Sequence, residues 1–340
     1  MKNASTDIES KRSKLRDVAR EAGVSVATVS RVINNSPRVT EKTKLKINEV
    51  ISRLGYAPNP VARALTVGRT KTIGAVIPTL DHAIFANFLS AVEEALAASK
   101  YRLVVATTGG DPDVELERTQ ALFDMGVEGI VLSGTVHRAE IDQLSSRYEA
   151  PVVLTSCYDE RASYPTIGYD NFHLAQLAMK HLFDLGHRGI CVIHGPLKNN
   201  DRTRARLAGA REFSSEVELT AIETELSEAG GSEAVGKILK EKPRPTALLC
   251  LSDVIALGAL FELQRASLKV PDDISVMGFD NLNWSVHAEP ALTSISLPVR
   301  RMGKKTAEAL VRKLEDDVDI ESVLIGGSLV ERASTARPPH

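Results

Sequence analysis

Only three cysteines occur in the 340 residues: Cys157, Cys191 and Cys250. They are odd in number, far apart and set in apolar runs. That argues against a disulfide framework and for buried thiols in a reducing compartment. No Cys/His spacing matches a zinc site, so no metal is expected. No apolar run approaches transmembrane length, so no membrane partner is expected either. The stretch from Met1 to Lys14 is polar and lacks the apolar centre of a secretory signal, and the expected location is cytoplasmic. Catalytic signatures are missing as well. There is no G-x-S-x-G elbow, no Walker P-loop and no G-x-G-x-x-G after a strand. The acids near the expected ligand cleft have no evident nucleophile or metal cluster to work with. Neither catalytic residues nor a cofactor are therefore expected.

What is present is ordinary in bulk and uneven in distribution. Hydrophobic residues make up 43% and charged residues 25%, which suits a globular chain long enough for two or three domains. The net charge of −2 hides a split: residues 1–70 carry 14 Lys/Arg against 6 Asp/Glu, and residues 71–340 carry 28 against 38. A basic head on an acidic body suggests a phosphate-facing module, although short basic N-terminal tails are also common.

The head carries the most specific local pattern. Asp17–Val32 reads DVAREAGVSVATVSRV. Val18, Ala19 and Ala22 form one apolar stripe of a helix. Gly23 stops it, Ser25 can cap a second helix, and Val29 and Val32 give that helix a buried face. Two short helices joined by a tight glycine turn make a helix-turn-helix, whose second helix enters the DNA major groove. Thr40 can cap a third helix with Ile47, Val50, Ile51 and Leu54 on one face and Gly55 at its end. Residues 1–13 are polar and expected to be disordered. Tyr56–Pro60 is a breaker-rich linker, and Val61–Leu65 has room for one or two helical turns, marginal alone.

From Thr72 strand-like apolar runs alternate with amphipathic helices. The first series pairs Ile73–Ile77 with Phe85–Ser99, Arg102–Thr107 with Val114–Met125, and Gly129–Leu132 with Arg138–Arg147, and ends at Val152–Leu154. The second runs through Leu174–Leu185, Gly189–His194, Ala205–Phe213, Ala234–Glu241, Ala247–Leu251, Val254–Leu263 and Ser275–Phe279. Continuous apolar strands alternating with helices predict parallel sheets covered on both faces. The length predicts two α/β lobes, with a ligand at strand ends or between lobes.

These pieces resemble a known family. GVSVATVSRVINNSP (Gly23–Pro37), YAPNPVARAL (Tyr56–Leu65), GHRGICVIHGPL (Gly186–Leu197), RLAG (Arg206–Gly209), PTALLCLSDVIALGAL (Pro245–Leu260) and VPDDISVMGFDN (Val270–Asn281) match, in order, the lactose/galactose repressor family of bacterial regulators. The resemblance runs from Lys14 to about Arg332. It implies an all-α helix-turn-helix headpiece (14–57), a hinge helix and linker (58–70), and a periplasmic-binding-protein-like α/β core of two lobes (71–338). The lobes are expected at 71–165 plus 293–322 and at 166–292 plus 323–338. The family pattern further implies a homodimer on a pseudo-palindromic double-stranded operator, with a small effector held between the lobes.

On the second helix the resemblance gives Val26 and Ala27 the variable base-reading positions and Arg31 a base-reading one. Val26 and Ala27 have only apolar contacts to offer, such as a thymine methyl; Arg31 has a bidentate donor for guanine, or a clamp for phosphate. Ser25, Thr28 and Ser30 stand at the helix start, where phosphate is met, and Asn34 and Arg16 are further phosphate candidates. Leu65 takes the family's minor-groove wedge position, with Asn59, Ala62 and Arg63 along the same groove; the alternative is that Leu65 packs the linker onto the core.

In the core the resemblance assigns effector contacts to Arg206, to Asp280 and, less distinctively, to Asp253. One charged donor and fixed acceptors suit vicinal hydroxyls. Arg206 and Asp280 could equally form an ion pair within the lobe, and Asp253 a helix cap. Tyr169 and Phe85 match positions that stack on a ring, or are plain core aromatics. Asp81 and His82 sit in the loop after the first strand, where a ligand group or only solvent is met. A clamp aromatic common in the family is replaced here by Leu226, which disfavours a flat purine. The loop Lys198–Arg206, including Arg202, is rich in arginine and suits a sugar acid or sugar phosphate, unless it is a solvated basic loop.

The resulting expectation is a DNA-binding repressor of carbohydrate-utilisation genes, controlled by a small carbohydrate or sugar-acid effector. A free-standing sugar receptor or a sugar-modifying enzyme on the same core is the rival reading. The helix-turn-helix argues against both.

Overall fold

The computed structural model describes residues 14–33, 37–56 and 68–339, which fall into two compact units, Met1–Thr70 and Lys71–His340. Among its described residues the first holds three helices, α1 (Leu15–Ala22), α2 (Val26–Ile33) and α3 (Glu41–Leu54). Gly23 and Gly55 close α1 and α3 in the left-handed conformation that glycine adopts without strain. Val18, Ala19, Ala22, Val29, Val32, Ile47 and Val50 form a shared buried core. Such a stripe on each helix is what lets three short helices hold one another.

The second unit contains two six-stranded sheets. The N-lobe sheet has the order β11 (Val323–Leu324), β5 (Thr166–Gly168), β4 (Val152–Thr155), β3 (Gly129–Ser133), β1 (Thr72–Ile77), β2 (Arg102–Thr107), all parallel. The C-lobe sheet has the order β12 (Ser328–Val330), β10 (Thr293–Ser296), β9 (Ser275–Asp280), β8 (Ala247–Cys250), β6 (Gly189–His194), β7 (Glu218–Glu223). Only β12, at its edge, is antiparallel.

Strand residues alternate between two helix layers. In β1, Ile73, Ala75 and Ile77 pack toward α4 (Ala83–Ala98) and α11 (Val299–Asp316). Val76 turns instead toward α5 (Pro112–Asp124) and α6 (Glu140–Tyr148). In the C-lobe, Ile190 and Val192 of β6 face α7 (Asn171–Asp184) and α8 (Asp201–Arg211). Cys191 and Ile193 face α9 (Glu228–Ile238) and α10 (Asp253–Arg265). Burial on both faces is why these strands read as unbroken apolar runs. All three cysteines are buried and free, and burial pushes the Cys157 thiol up to about 12.

The chain passes between lobes after β5, after β10 and after β11. These passages fall a few residues beyond the expected 165, 292 and 322. β5, β10 and β11 are three, four and two residues long, too short to leave a periodic signal. Among the described residues no helix is long and apolar enough to cross a membrane.

Candidate functional site

On α2 the buried residues are Val29 and Val32, so the opposite side is presented outward. Val26 is 42% exposed, and Ala27 and Arg31 are exposed with Ser30 half-buried beside them. Arg31 has no side-chain partner among the described residues. Ser25 caps the helix: its hydroxyl accepts from the Thr28 amide at 3.1 Å and lies 2.8 Å from the Thr28 hydroxyl. Both hydroxyls are thus partly committed to the helix start. Arg16 is exposed on α1. Asn34, Asn59, Ala62, Arg63 and Leu65 lie outside the described residues.

The second candidate is a cavity of about 280 Å³ between the carboxyl ends of the two parallel sheets. Its C-lobe wall is polar and organised around Arg206, in the middle of α8 and 8% exposed. Arg206 Nε donates to Asn171 Oδ1 at 2.8 Å, and Nη1 donates to the Leu251 carbonyl at 2.9 Å. Nη1 also lies 3.7 Å from Asp280 Oδ1, and the guanidinium stacks over the Phe279 ring, 4.1 Å from its centroid. Asp280 ends β9, and its other oxygen accepts from Ser252 Oγ at 3.0 Å. Its φ of +131° is a conformation in which only glycine is comfortable, so the strand end is held in strain where the carboxylate meets the cavity, and Asn281 follows in the left-handed region at +55°, which asparagine tolerates. Burial raises the Asp280 pKa to about 7; Arg206 opposes the rise and Asp253 adds to it.

The N-lobe wall is largely apolar, with Pro78, Ile84, Phe85, Phe88, Val299 and Met302; Thr79, His82 and Ser156 are its polar members. His82 stacks on Phe85 at 6.5 Å and its Nε2 lies 3.1 Å from the Leu226 carbonyl of the other lobe. Tyr169, buried at the crossover after β5, lines the cavity too.

Of the effector candidates, Phe85, Tyr169, Arg202, Arg206 and Asp280 therefore converge on one cavity. Two do not. Asp253 is 0% exposed and faces away from it. Its Oδ2 accepts from the Leu282 amide and Ser285 Oγ, and its Oδ1 from Ser294 Oγ, all at 2.7 Å. A Cβ on Gly278 would fall 2.1 Å from Asp253 Oδ1, so the carboxylate is wedged against β9 as a structural tie. The cap of α10 is Ser252, whose Oγ accepts from the Val254 amide. Asp81 is exposed and accepts from Thr79 Oγ1 at 2.9 Å, a turn outside the cavity; His82, one residue on, points in. Arg202 reaches the cavity rim, but its Nη1 is bonded to the Ser133 carbonyl and to Asp201. The loop Lys198–Arg206 is in large part the first two turns of α8, and Arg204 donates to the Leu197 carbonyl. Ser252, Asn171 and Met302 belong to the site without having been expected. Ser252 had a cap's signature before α10, Asn171 only supports Arg206, and Met302 lies on the buried face of α11, a helix that was not expected. No cluster of His, Cys, Asp or Glu able to hold a metal occurs among the described residues.

Comparison with known proteins follows the same division. Residues 14–59 match the family model described as bacterial regulatory proteins, lacI family, and residues 179–335 match a periplasmic binding protein-like domain. The chain is 32% identical over 326 residues to catabolite control protein A of Priestia megaterium, covering 94% of this chain and 98% of that one. It is 32% identical over 307 residues to the ribose operon repressor of Haemophilus influenzae, covering 89% and 92%. Among solved structures it is similar to the lac repressor dimer bound to operator and an anti-inducer, with a TM-score of 0.86, 26% identity, and coverage of 96% and 100%.

Proposed function

The chain belongs to the lacI family of bacterial regulatory proteins, and from that premise we propose that it is a repressor switched by a small carbohydrate or sugar acid in the cavity between its lobes. Its relatives are DNA-binding transcriptional repressors rather than enzymes, and so is this protein. The observation that carries the effector assignment is the pairing of Arg206 with Asp280 on one wall, opposite Phe85 on the other. Oriented charged donors and acceptors bond ring hydroxyls, while an apolar wall covers the C–H face of the same ring.

On DNA, α2 is the reading helix. Val26 and Ala27 contact methyl groups, Arg31 binds a guanine edge or a phosphate, and Ser25, Thr28, Ser30, Arg16 and Asn34 meet the backbone. Asn59, Ala62, Arg63 and Leu65 follow the minor groove at the operator centre. The working form is a homodimer on a pseudo-palindromic site. A groove lined by Leu257, Phe261, Trp284 and Ala288, with Phe261 48% exposed, offers an apolar face for a second copy, and the similar lac repressor is a dimer. The effector acts by binding one lobe arrangement better than the other, and that difference is the whole of its leverage on DNA affinity.

The test is a thermal-shift screen of sugars, sugar acids and sugar phosphates, followed by operator binding with each stabilising compound. At least one compound should raise the melting temperature and change operator affinity. In parallel, Arg31→Ala should lower operator affinity by about 1–3 kcal/mol. Sequence-selective binding that survives Arg31→Ala unchanged removes α2 from that role.

A further inference from the structure

Beside the cavity, the lobes are joined by a contact made wholly of their own residues. Ser133 ends β3 of the N-lobe, Gly134 and Thr135 form the turn after it, and Asp201 and Arg202 begin α8 of the C-lobe. Asp201 Oδ2 accepts from the Thr135 amide at 2.6 Å and from Thr135 Oγ1 at 2.8 Å. Arg202 Nη1 donates to the Ser133 carbonyl at 2.9 Å and to Asp201 Oδ1 at 3.1 Å. The two side chains close over Gly134, whose φ is +92°; a Cβ there would lie 2.1 Å from Arg202 Nη1 and 2.6 Å from Asp201 Oδ1.

We propose that Asp201, braced by Arg202, is an inter-lobe catch: a positioning residue that sets the angle between the lobes, and with it the shape of the effector cavity, without touching the effector. Three observations carry this. First, Asp201 is not needed to start its helix, because Asn200 Oδ1 already accepts from the Thr203 amide as the cap. Second, its carboxylate is mostly buried yet fully satisfied: burial alone would raise its pKa, but Arg202 and the Thr135 donors hold it below the ordinary range. Third, the turn it grips is rigid on its own side. The Gly134 amide donates to the Thr155 carbonyl at 2.9 Å. The Gly134 carbonyl accepts from His137 Nε2 at 2.9 Å, and His137 Nδ1 lies 2.6 Å from Glu115 Oε1. A carbonyl and a carboxylate both accept, so the buried ring is suited to carry both protons. Its pKa is raised accordingly: burial lowers it, and Glu115 more than offsets that. A force on Thr135 is thereby passed to β3 and β4 rather than lost in a soft loop.

The catch also explains why the arginine-rich start of α8 offers less positive charge to a ligand than its composition suggests, since Arg202 is spent on the N-lobe. The consequence for effector affinity rests on the proposed function; the contact itself does not. Holding the lobes near the binding geometry lowers the conformational cost of binding, so loss of the catch weakens the effector without removing a contact to it.

The experiment uses the full chain with no ligand added. Spin labels at Met125→Cys and Lys240→Cys, exposed positions on opposite lobes, report the inter-lobe distance by pulsed electron resonance. With labelled chain diluted in excess unlabelled chain, so that a dimer carries one labelled protomer, the unaltered catch should give one narrow distribution. Asp201→Ala should broaden and shift it, and Thr135→Val, which leaves α8 intact, should move it in the same direction. The double variant should add little to the larger single effect. Exchange of the Thr135 amide should accelerate about tenfold or more in Asp201→Ala. An unmoved distance in both single variants overturns the catch, and if melting temperature nonetheless falls, Asp201 serves only its own helix. Because no effector is involved, that result would leave the cavity's assignment standing, and a failed sugar screen would leave the catch standing.

Discussion

The two walls of the cavity differ in where their charge lies: the C-lobe side carries Arg206 and Asp280 beside Leu226 and Leu251, and the N-lobe side is mainly apolar. The C-lobe contributes Arg206, Asp280 and Ser252, each already bonded to its neighbours, while the N-lobe contributes Phe85, Phe88, Ile84 and Met302. The polar wall is pre-organised, so its groups lose little freedom when they bond a ligand, and it should set specificity. The apolar wall excludes water from one face of the ligand and should add affinity with little discrimination. Substitutions on the two sides should therefore fail in different ways.

The largest effect is expected from Asp280→Ala. It should abolish the effector response, measured as the effector-dependent change in operator affinity, while effector-free operator binding persists. Arg206→Lys comes next. A lysine cannot reproduce the bonds to Asn171 and Leu251 together with the stack on Phe279, and effector affinity by calorimetry should fall by about 1.5–3 kcal/mol. On the opposite wall, Phe85→Leu should cost only about 1 kcal/mol and leave the ranking of ligands unchanged. A change of ligand preference in that variant would break the division between the walls.

Outside ligand binding, the last effect is on stability: a pH slope to which Asp280 contributes together with buried Asp253, whose pKa is raised as well. In the unfolded chain Asp280 titrates near its ordinary 3.8, and in the folded chain near 7. Between those values the folded state holds a proton that the unfolded state has released. Stability contributed here therefore falls as pH rises from about 4 to about 7, and is level above. Asp280→Asn should reduce the slope over that part of the melting-temperature profile. A wild-type slope retained in the variant would assign it to other groups.

Much of this was legible in the residue order, for physical reasons that differ by element. Strands buried on both faces announce themselves as apolar runs, so β1, β6, β8 and β9 were readable, and with them the strand-end position of Asp280. Helix α11 was not among the expected elements. Its amphipathic stripe of Val299, Met302, Ala307 and Leu310 was there to be read, but Gly303 and Thr306 interrupt it; Gly303 lies so close to α4 that a Cβ would fall 2.7 Å from the Phe88 carbonyl. Edge strand β7 is half-exposed, with no continuous apolar run to betray it. Asp253 and Asp280 look alike in sequence, each an acid at a strand end. Only the third dimension turns one toward Ser285 and Ser294 and the other toward the cavity. The Asp201–Thr135 contact is further from reach, joining residues 66 apart in different lobes.

The central claim is that occupancy of this cavity is coupled to the headpiece's grip on DNA. Its most direct test is operator affinity measured with and without the compound that most stabilises the protein, in wild type and in Asp280→Ala side by side. The account predicts a shift in operator affinity in wild type and none in the variant. Equal shifts in both, or a stabilising ligand that leaves wild-type operator affinity unchanged, would contradict it.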